Sequence, residues 1–331
     1  MKGSETVQSF SVLNYSGLLY NKANTDTPFL NLISGNVKYT NSVEFVCGQY
    51  YTSEEGAIPA ISETASLTAP DATFVTRSQL SNVTQIFQES VAISYAKQSN
   101  MATLSGVNIA SQTANPQDEL DFQIARKMEK IKRSIEKTFI QGTYNKATAD
   151  TEINKTRGML AAITTNVVAA SGASLDLWLL DTAVRGIAEA GGDISNLYVF
   201  VNSANLLQVN GNAIEMGMPI GVAKDTEYGI QVRDVILPVG ATVKLVLGQF
   251  IPAGTALIFN PKYVGPVEQP VPSKGNFFLE ELAKTGAGTK YQIFGQIGLD
   301  HGPEWYAAKI TGLSTTFTAP VGQKVVTVAS A

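Results

Sequence analysis

The sequence has almost none of the residues that carry metal, redox or acid–base chemistry. It contains one cysteine, Cys47, and one histidine, His301. A single cysteine excludes an internal disulfide and any metal site built from several thiolates, and it is consistent with a reducing compartment. His301 lies between two predicted strands, beside a Gly-Pro pair that is typical of a turn. We therefore interpret His301 as structural and not as part of a catalytic triad.

Nucleotide-binding motifs are also missing. The segment GAGTK at 286–290 has the order GTK where a phosphate loop has GK followed by Ser or Thr. It also precedes a predicted strand and does not open a helix, so a hairpin turn explains it better. The sequence therefore predicts a protein that is not an enzyme and that holds neither a cofactor nor a metal ion.

Charge is scarce. Charged residues make up 16% of the chain and the net charge is −4, whereas an average soluble domain has about 25% charged residues. So few charges protect a free monomer poorly against association, which indicates that other chains cover much of the surface. The negative balance argues against a protein that grips nucleic-acid phosphates. No run approaches the ~18 apolar residues of a membrane span, and we predict no membrane contact.

The strongest helix signal is the segment 115–142, NPQDELDFQIARKMEKIKRSIEKTFIQG. Asn115 and Pro116 are typical of a helix start, and Gly142 is predicted to stop the helix in a left-handed conformation. A coiled coil would need a longer apolar stripe, and a DNA-binding helix would not interleave acids with its bases. We favour a structural rod of about 40 Å lying across a sheet. Its stripe consists of Leu120, Ile124, Met128, Ile131, Ile135 and Phe139.

The other segments follow a distinctive order. An apolar arm with a short helix near 27–33 comes first, and two strands at 37–47 and 83–95 then enclose a long polar loop, which predicts one projecting hairpin. After the long helix come a second helix at 175–190 and a continuous apolar strand, LYVFVN. The remainder is rich in strands, at 230–237, 241–247, 255–259, 276–284, 290–297 and 304–313.

This order resembles the major capsid protein of tailed bacteriophages, the HK-ninety-seven-type shell fold that bacterial encapsulins share. The segments NYSGLLYNKANTDTPFLNLI, SVEF near Glu44, the long-helix segment and TRGMLAAI are similar to the capsid group close to the SU-ten coat protein. The resemblance implies an α+β fold with an N-terminal arm, an extended β-hairpin loop, a long spine helix, and peripheral and axial domains. The implied divisions are the arm at 1–40, the loop at 41–100, the peripheral domain with the spine helix at 101–160, the axial domain at 161–275, and return strands with a tail at 276–331.

The function implied by the resemblance is self-assembly, as hexamers and pentamers, into the icosahedral head shell of a tailed phage. Such a shell encloses double-stranded DNA without sequence-specific binding, and it is assembled in the host cytoplasm. The implied partners are a portal, possible decoration proteins and, because the chain begins directly at the arm, a separate scaffold or none. The alternatives are an encapsulin-type compartment shell and, more remotely, a β-rich tail or surface protein.

Inter-subunit contacts are expected on the arm, the loop and the basic face of the spine helix. That face could meet neighbouring subunits or the shell interior. The candidate contact residues are Tyr15, Leu18, Tyr20, Phe29, Glu54, Glu55, Arg77, Arg126, Lys130 and Arg133.

Overall fold

A computed structural model describes residues 26–53, 56, 58, 60–69, 71–95, 119–215, 225–227, 230–284 and 286–316 of the chain. These residues form an α+β fold with two sheets and a separate two-stranded hairpin. The helices are α1 (Pro28–Ile33), α2 (Glu119–Gln141, the spine helix), α3 (Met159–Ala162), α4 (Leu177–Glu189) and α5 (Ser203–Glu215). Within this described part, no helix combines the length and the apolar character that a bilayer crossing requires.

The strands follow one another along the chain from Lys38 to Thr311. They are β1 (Lys38–Tyr39), β2 (Glu44–Tyr51), β3 (Arg77–Val83), β4 (Gln85–Ser94), β5 (Val167–Ala169), β6 (Leu197–Val201), β7 (Asp225–Glu227), β8 (Ile230–Ile236), β9 (Thr242–Leu247), β10 (Ala256–Phe259), β11 (Gly265–Glu268), β12 (Phe278–Glu281), β13 (Gly288–Asp300) and β14 (Ala308–Thr311).

The spine helix lies on a five-stranded sheet built around the long strand β13. Strand β4 pairs antiparallel with one edge of β13, and β11 and β12 pair with its other edge. Ile131, Ile135 and Phe139 of the spine helix are buried in one core with Phe87 of β4 and Ile293 of β13. The predicted apolar stripe is confirmed for these residues, because a period of three and four keeps them on the face that meets the sheet. The predicted start at Asn115 lies outside the described residues.

The second sheet has seven strands in the order β5-β14-β10-β6-β9-β8-β7. Its central strand β6 has the sequence LYVFV, and all five residues are buried. Tyr198 and Phe200 point into the core that contains the spine helix. Leu197, Val199 and Val201 point into a second core beneath α4 and α5. Because helices cover both faces of β6, the strand has no polar side, as its continuous apolar run predicted.

The hairpin differs from the sequence-based prediction. Strand β2 pairs with β3, from Glu44 opposite Val83 to Tyr51 opposite Arg77. Strand β4 leaves the hairpin and pairs with β13 over its full length. Thr84 marks the change of partner, since its amide donates to the Val43 carbonyl and its hydroxyl to the Gln269 side chain. The prediction of one hairpin from 37–47 and 83–95 is therefore wrong for β4, and the loop between the paired strands is shorter than predicted.

Gly142 ends the spine helix for a reason other than the predicted left-handed conformation. Its φ is not among the positive values of the described residues. A side chain at Gly142 would instead collide with the Thr138 carbonyl and would lie 2.6 Å from the Thr156 carbonyl. The Gly142 carbonyl also accepts a hydrogen bond from the Gly158 amide at 2.9 Å. Glycine is therefore required because two backbone segments cross in close contact.

Candidate assembly surfaces

The side chains around His301 do not form a catalytic arrangement. The His301 ring is buried, its Nδ1 lies 2.8 Å from the Gly302 carbonyl oxygen, and burial lowers the pKa of the ring. The Asp300 carboxylate binds the Lys38 ammonium and the Gly302 amide. The Glu304 carboxylate accepts the Thr164 amide at 2.8 Å. These groups fix a turn to neighbouring segments, and the described residues contain no group of metal-ligating side chains.

The extended loop carries the most exposed apolar side chains of the described chain. We call residues 52–76, between the paired ends of β2 and β3, the loop tip. Ile58 is 95% exposed, Leu67 84% and Phe74 88%. Isolated exposed apolar residues are ordinary, but three large ones on one projecting loop indicate a surface that another chain covers. Two acids, Glu63 and Asp71, are exposed on the same tip, whose sequence contains no lysine.

The base of the loop is fixed to the body by side chains of β2 and β3. The Asn82 side-chain amide donates to the carbonyls of Leu299 and Arg157, and its oxygen accepts the Arg157 amide at 2.7 Å. The Lys146 ammonium group lies 2.5 Å from the carboxylate of Glu44, the first residue of β2. The Cys47 thiol is buried, and burial raises its pKa to about 12. The base is therefore part of the folded body, whereas the distal ends of β2 and β3 are exposed like the tip.

Several cations on the spine helix are paired within the subunit. Arg126 binds Glu129 at 2.9 Å, and Lys127 and Lys130 both bind Glu89 of β4. The Arg133 guanidinium lies 5.9 Å from the centre of the Phe250 ring. Lys132 and Lys137 are exposed, and among the described residues neither has an ion pair. The positive charge that this helix can offer to another chain therefore comes mainly from these two lysines.

The structure places the predicted contact residues in very different environments. Arg77, Arg126 and Lys130 are exposed, and Arg133 is half-buried. Phe29 is wrong as a surface residue, since it is fully buried and packs against Phe200 and Phe259 at centroid distances of 5.8 and 5.1 Å. Its apolar character serves the subunit's own core. The remaining predicted contacts, Tyr15, Leu18, Tyr20, Glu54 and Glu55, lie outside the described residues.

Sequence reasoning missed two acids that hold elements together. The Glu89 carboxylate forms ion pairs with Lys127 and Lys130. The alternating pattern of β4 predicts a strand but does not show which helix Glu89 contacts. Glu136 is fully buried against α1. Its signal was present in the sequence, because Glu136 lies four residues before Ile140 and three before Phe139, on the apolar face of the spine helix.

Comparison with known proteins identifies the relatives of this chain. A family model described as SU10 major capsid protein matches residues 3–314. Among curated protein sequences, no significant match is found. The family match therefore covers almost the entire chain.

Solved structures show the same fold at low sequence identity. The capsid asymmetric unit of cyanophage A-1(L) has a TM-score of 0.62 at 12% identity, covering 94% of this chain and 99% of that chain. The capsid of Myoviridae phage XM1 has a TM-score of 0.54 at 14% identity, with 93% and 99% covered. The holo-SrpI encapsulin complex of Synechococcus elongatus PCC 7942 has a TM-score of 0.56 at 12% identity, with 92% and 96% covered. The architecture is thus the HK-ninety-seven-like capsid fold.

Proposed function

The chain belongs to the SU10 major capsid protein family, and on that premise we propose how its surfaces join copies into a shell. It is a structural subunit of a phage head shell and not an enzyme. It acts as a homo-oligomer, and its location is the head of the virion. The match of the family model to residues 3–314 is the observation that carries this conclusion.

The finer organisation is part of the proposal. The copies form hexamers and pentamers of an icosahedral head that encloses double-stranded DNA of a tailed phage without sequence-specific binding. Assembly takes place in the host cytoplasm, with a portal, possible decoration proteins, and a separate scaffold or none. The subunit divides into an arm to residue 40, an extended loop that ends with β3, a peripheral domain to 160 that includes β4 and the spine helix, an axial domain to 275, and return strands. A cargo compartment of encapsulin type is the alternative, which the family match makes weaker.

The loop tip is proposed to be the principal clamp between subunits. Burying a side chain such as Ile58, Leu67 or Phe74 against a neighbour would contribute about 1.5–3 kcal/mol each. Part of that gain is offset by ordering the loop and the partner surface. Each subunit in a closed shell would make the contact once as donor and once as acceptor, so the contribution is repeated around every ring.

Charge complementarity favours the spine helix of a neighbour as part of the receiving surface. The described tip residues carry the exposed acids Glu63 and Asp71, whereas the spine helix offers the exposed cations Lys132 and Lys137. Opposite charges at the rim of an apolar contact direct its orientation and its rate of formation more than its final affinity. Arg77, Arg126, Lys130 and Arg133 are proposed to border the same contact.

Removing the tip while keeping its base tests the proposal. Residues 53–75 would be replaced by an Asn-Gly turn, which leaves the ladder of β2 and β3 intact. We expect folded subunits with unchanged circular dichroism, but no stable shells by electron microscopy and sedimentation. A full-length variant with Ile58→Ser, Leu67→Ser and Phe74→Ser should behave in the same way.

A matched control separates the loop from exposed apolar surface in general. Ile153 is 65% exposed but lies between the spine helix and α3, so Ile153→Ser removes a large exposed apolar side chain from another place and is the control for Ile58→Ser alone. That variant should still form shells. Normal shells from the tip replacement would show that the loop is not a clamp between subunits.

A further inference from the structure

Glu136 is a fully buried acid on the otherwise apolar face of the spine helix. Its carboxyl oxygen Oε2 accepts a hydrogen bond from the Leu30 amide at 3.4 Å, and the Phe29 amide also acts to lower the pKa of the same carboxyl group. Both amides belong to the first turn of α1, and Leu30 precedes Glu136 by 106 residues in the chain. The carboxyl group therefore joins the end of the N-terminal arm to the spine helix.

Helix α1 depends on this contact because it has no side-chain cap of its own. Thr27 occupies the capping position without a side-chain hydrogen bond, and Pro28 follows it without an N–H group. The next two amides are the first donors of α1, and buried amides of a first turn require an acceptor. Phe29 buries its ring between Phe200 and Phe259, so this turn cannot move out to water without breaking the core. Glu136 supplies the acceptor that the local sequence lacks.

Among the described residues no cation forms an ion pair with Glu136, although the buried Nε of Arg133, one turn earlier on the spine helix, also has no hydrogen-bond partner. Asp26 is the charged group that acts on its pKa, Lys132, Arg133 and Lys137 are its neighbours along the spine helix, and Lys262 belongs to the 3-10 turn (Pro261–Tyr263) that packs on α1. Arg133 faces Phe250, Lys262 faces Tyr263, and the second carboxyl oxygen, Oε1, has no hydrogen-bond partner. Burial raises the pKa of Glu136 to about 8. The two amides act to lower this pKa, and the Asp26 carboxylate adds a smaller increase.

We propose that Glu136 is the positioning residue of the arm, and that its carboxyl group holds α1 on the spine helix as a proton-dependent latch. The protonated group accepts the α1 amides without placing a net charge in the core. The ionised group leaves an unpaired charge among apolar side chains, so ionisation favours the rare openings in which α1 leaves the core and water reaches the carboxylate. Because the pKa is raised in the folded state, this stabilisation is complete below the ordinary value of 4.5 and is lost as pH rises through about 8.

The inference rests on the proposed role of the arm in the shell, but its test does not require a shell. Amide hydrogen exchange of residues 29–33 in the full chain would be measured from pH 6 to pH 9.5 and expressed as protection factors. We expect protection to fall by about tenfold per pH unit from pH 6 to the folded-state pKa near 8, because α1 is closed over a protonated carboxyl group that ionises on opening, and to level off above that pKa. Amides of β6 should show no such decline, because that strand lies in the centre of its sheet.

Two variants separate a proton-dependent latch from a merely structural contact. Glu136→Gln keeps a carbonyl acceptor for the α1 amides but cannot ionise, so its protection should be independent of pH. Glu129→Gln removes a partly exposed acid on the same helix, and its profile should match that of the unchanged chain. A flat profile in the unchanged chain, or an undiminished decline in Glu136→Gln, would overturn the proposal.

The wild-type profile decides the question even if Glu136→Gln does not fold. Failure of the proposed shell function would be distinguishable, since it would appear as the absence of shells by electron microscopy at every pH. Failure of the latch would leave shells intact and α1 protection independent of pH.

Discussion

The ring of Tyr50 lies against the ring of Trp305, with the two centroids 5.0 Å apart and the planes at 65°. Tyr50 belongs to β2 of the extended loop, whereas Trp305 belongs to the 3-10 turn (Glu304–Tyr306) between β13 and β14. Trp305 in turn contacts Tyr306, which packs on Tyr263. An aromatic series therefore connects the base of the loop to the body of the subunit, three residues after the buried Cys47 in the same strand.

Loss of the Tyr50 ring should make the single cysteine accessible. We expect Tyr50→Ala to speed modification of Cys47 by a thiol reagent about two- to tenfold, since an aromatic pair contributes about 0.5–1.5 kcal/mol. In the unchanged protein the reaction should be slow, because burial raises the pKa of the Cys47 thiol to about 12. Tyr51→Ala is the matched control, because Tyr51 is 64% exposed. Equal rates for the two variants would show that the Tyr50–Trp305 contact does not limit access to Cys47.

Replacing Phe29 should destabilise the whole subunit and not a single interface. Phe29→Ala empties a site between two aromatic rings, and such truncations cost about 3–5 kcal/mol. Urea unfolding of the unassembled chain would measure this loss. Tyr39→Ala, at a residue that is 72% exposed, should change the free energy of unfolding by less than about 0.5 kcal/mol. A small effect at Phe29 would mean that α1 is not part of the core.

The elements with a strong periodic pattern were predictable from the sequence, and the choices among long-range partners were not. The stripe of the spine helix and the run LYVFV fix which faces are buried, because helix and strand periods act locally. The apolar character of Phe29 predicts burial equally well in its own subunit or in a neighbour. Likewise the alternation in β4 predicts a half-buried strand but does not distinguish β2 from β13 as its partner. Those outcomes depend on residues more than a hundred positions away.

Gly142 and Gly48 provide a test of the explanation for the helix end. Gly142→Ala would force a methyl group against the carbonyls of Thr138 and Thr156, and we expect a loss of about 1–3 kcal/mol in the free energy of unfolding. A side chain at Gly48 would meet nothing within 4 Å, so Gly48→Ala should be nearly neutral. Thermal unfolding of both variants checks the difference. Equal tolerance at both positions would show that the crossing at Gly142 is looser than described.

The ion pairs of Glu89 should give a pH-dependent contribution to stability. Burial raises the pKa of Glu89, but the ammonium groups of Lys130 and Lys127 outweigh burial and leave the pKa below its ordinary value of 4.5. A group whose pKa is lower in the folded state stabilises the fold at pH values above its ordinary pKa. That stabilisation is lost as the pH falls through the folded-state pKa. Glu89→Gln should therefore cost about 1 kcal/mol or less at pH 7 and progressively less on acidification below about pH 4.

Urea unfolding at pH 7 and at low pH would measure the contribution of Glu89. The control is Glu281→Gln, since Glu281 is exposed on β12 and has no ion pair among the described residues. Its effect should be small at both pH values. A loss in Glu89→Gln that persists unchanged at low pH would mean that the side chain acts through packing and not through its charge.

Reversing the free charge of the spine helix should affect assembly without affecting the fold. Lys132 and Lys137 have no ion pair among the described residues, so changing both to Glu breaks no ion pair within that part of the chain. If they meet the acidic loop tip of a neighbour, the variant should assemble more slowly, as followed by light scattering, while its unfolding midpoint stays unchanged. Assembly of the unchanged protein should also slow as salt rises, because salt screens exposed charges beyond about 8–10 Å. The control variant, Lys155→Glu with Lys284→Glu, changes the net charge by the same amount at other places on the surface. It should assemble at the normal rate. Equal slowing of the two double variants would show that net charge, and not this face of the spine helix, controls assembly.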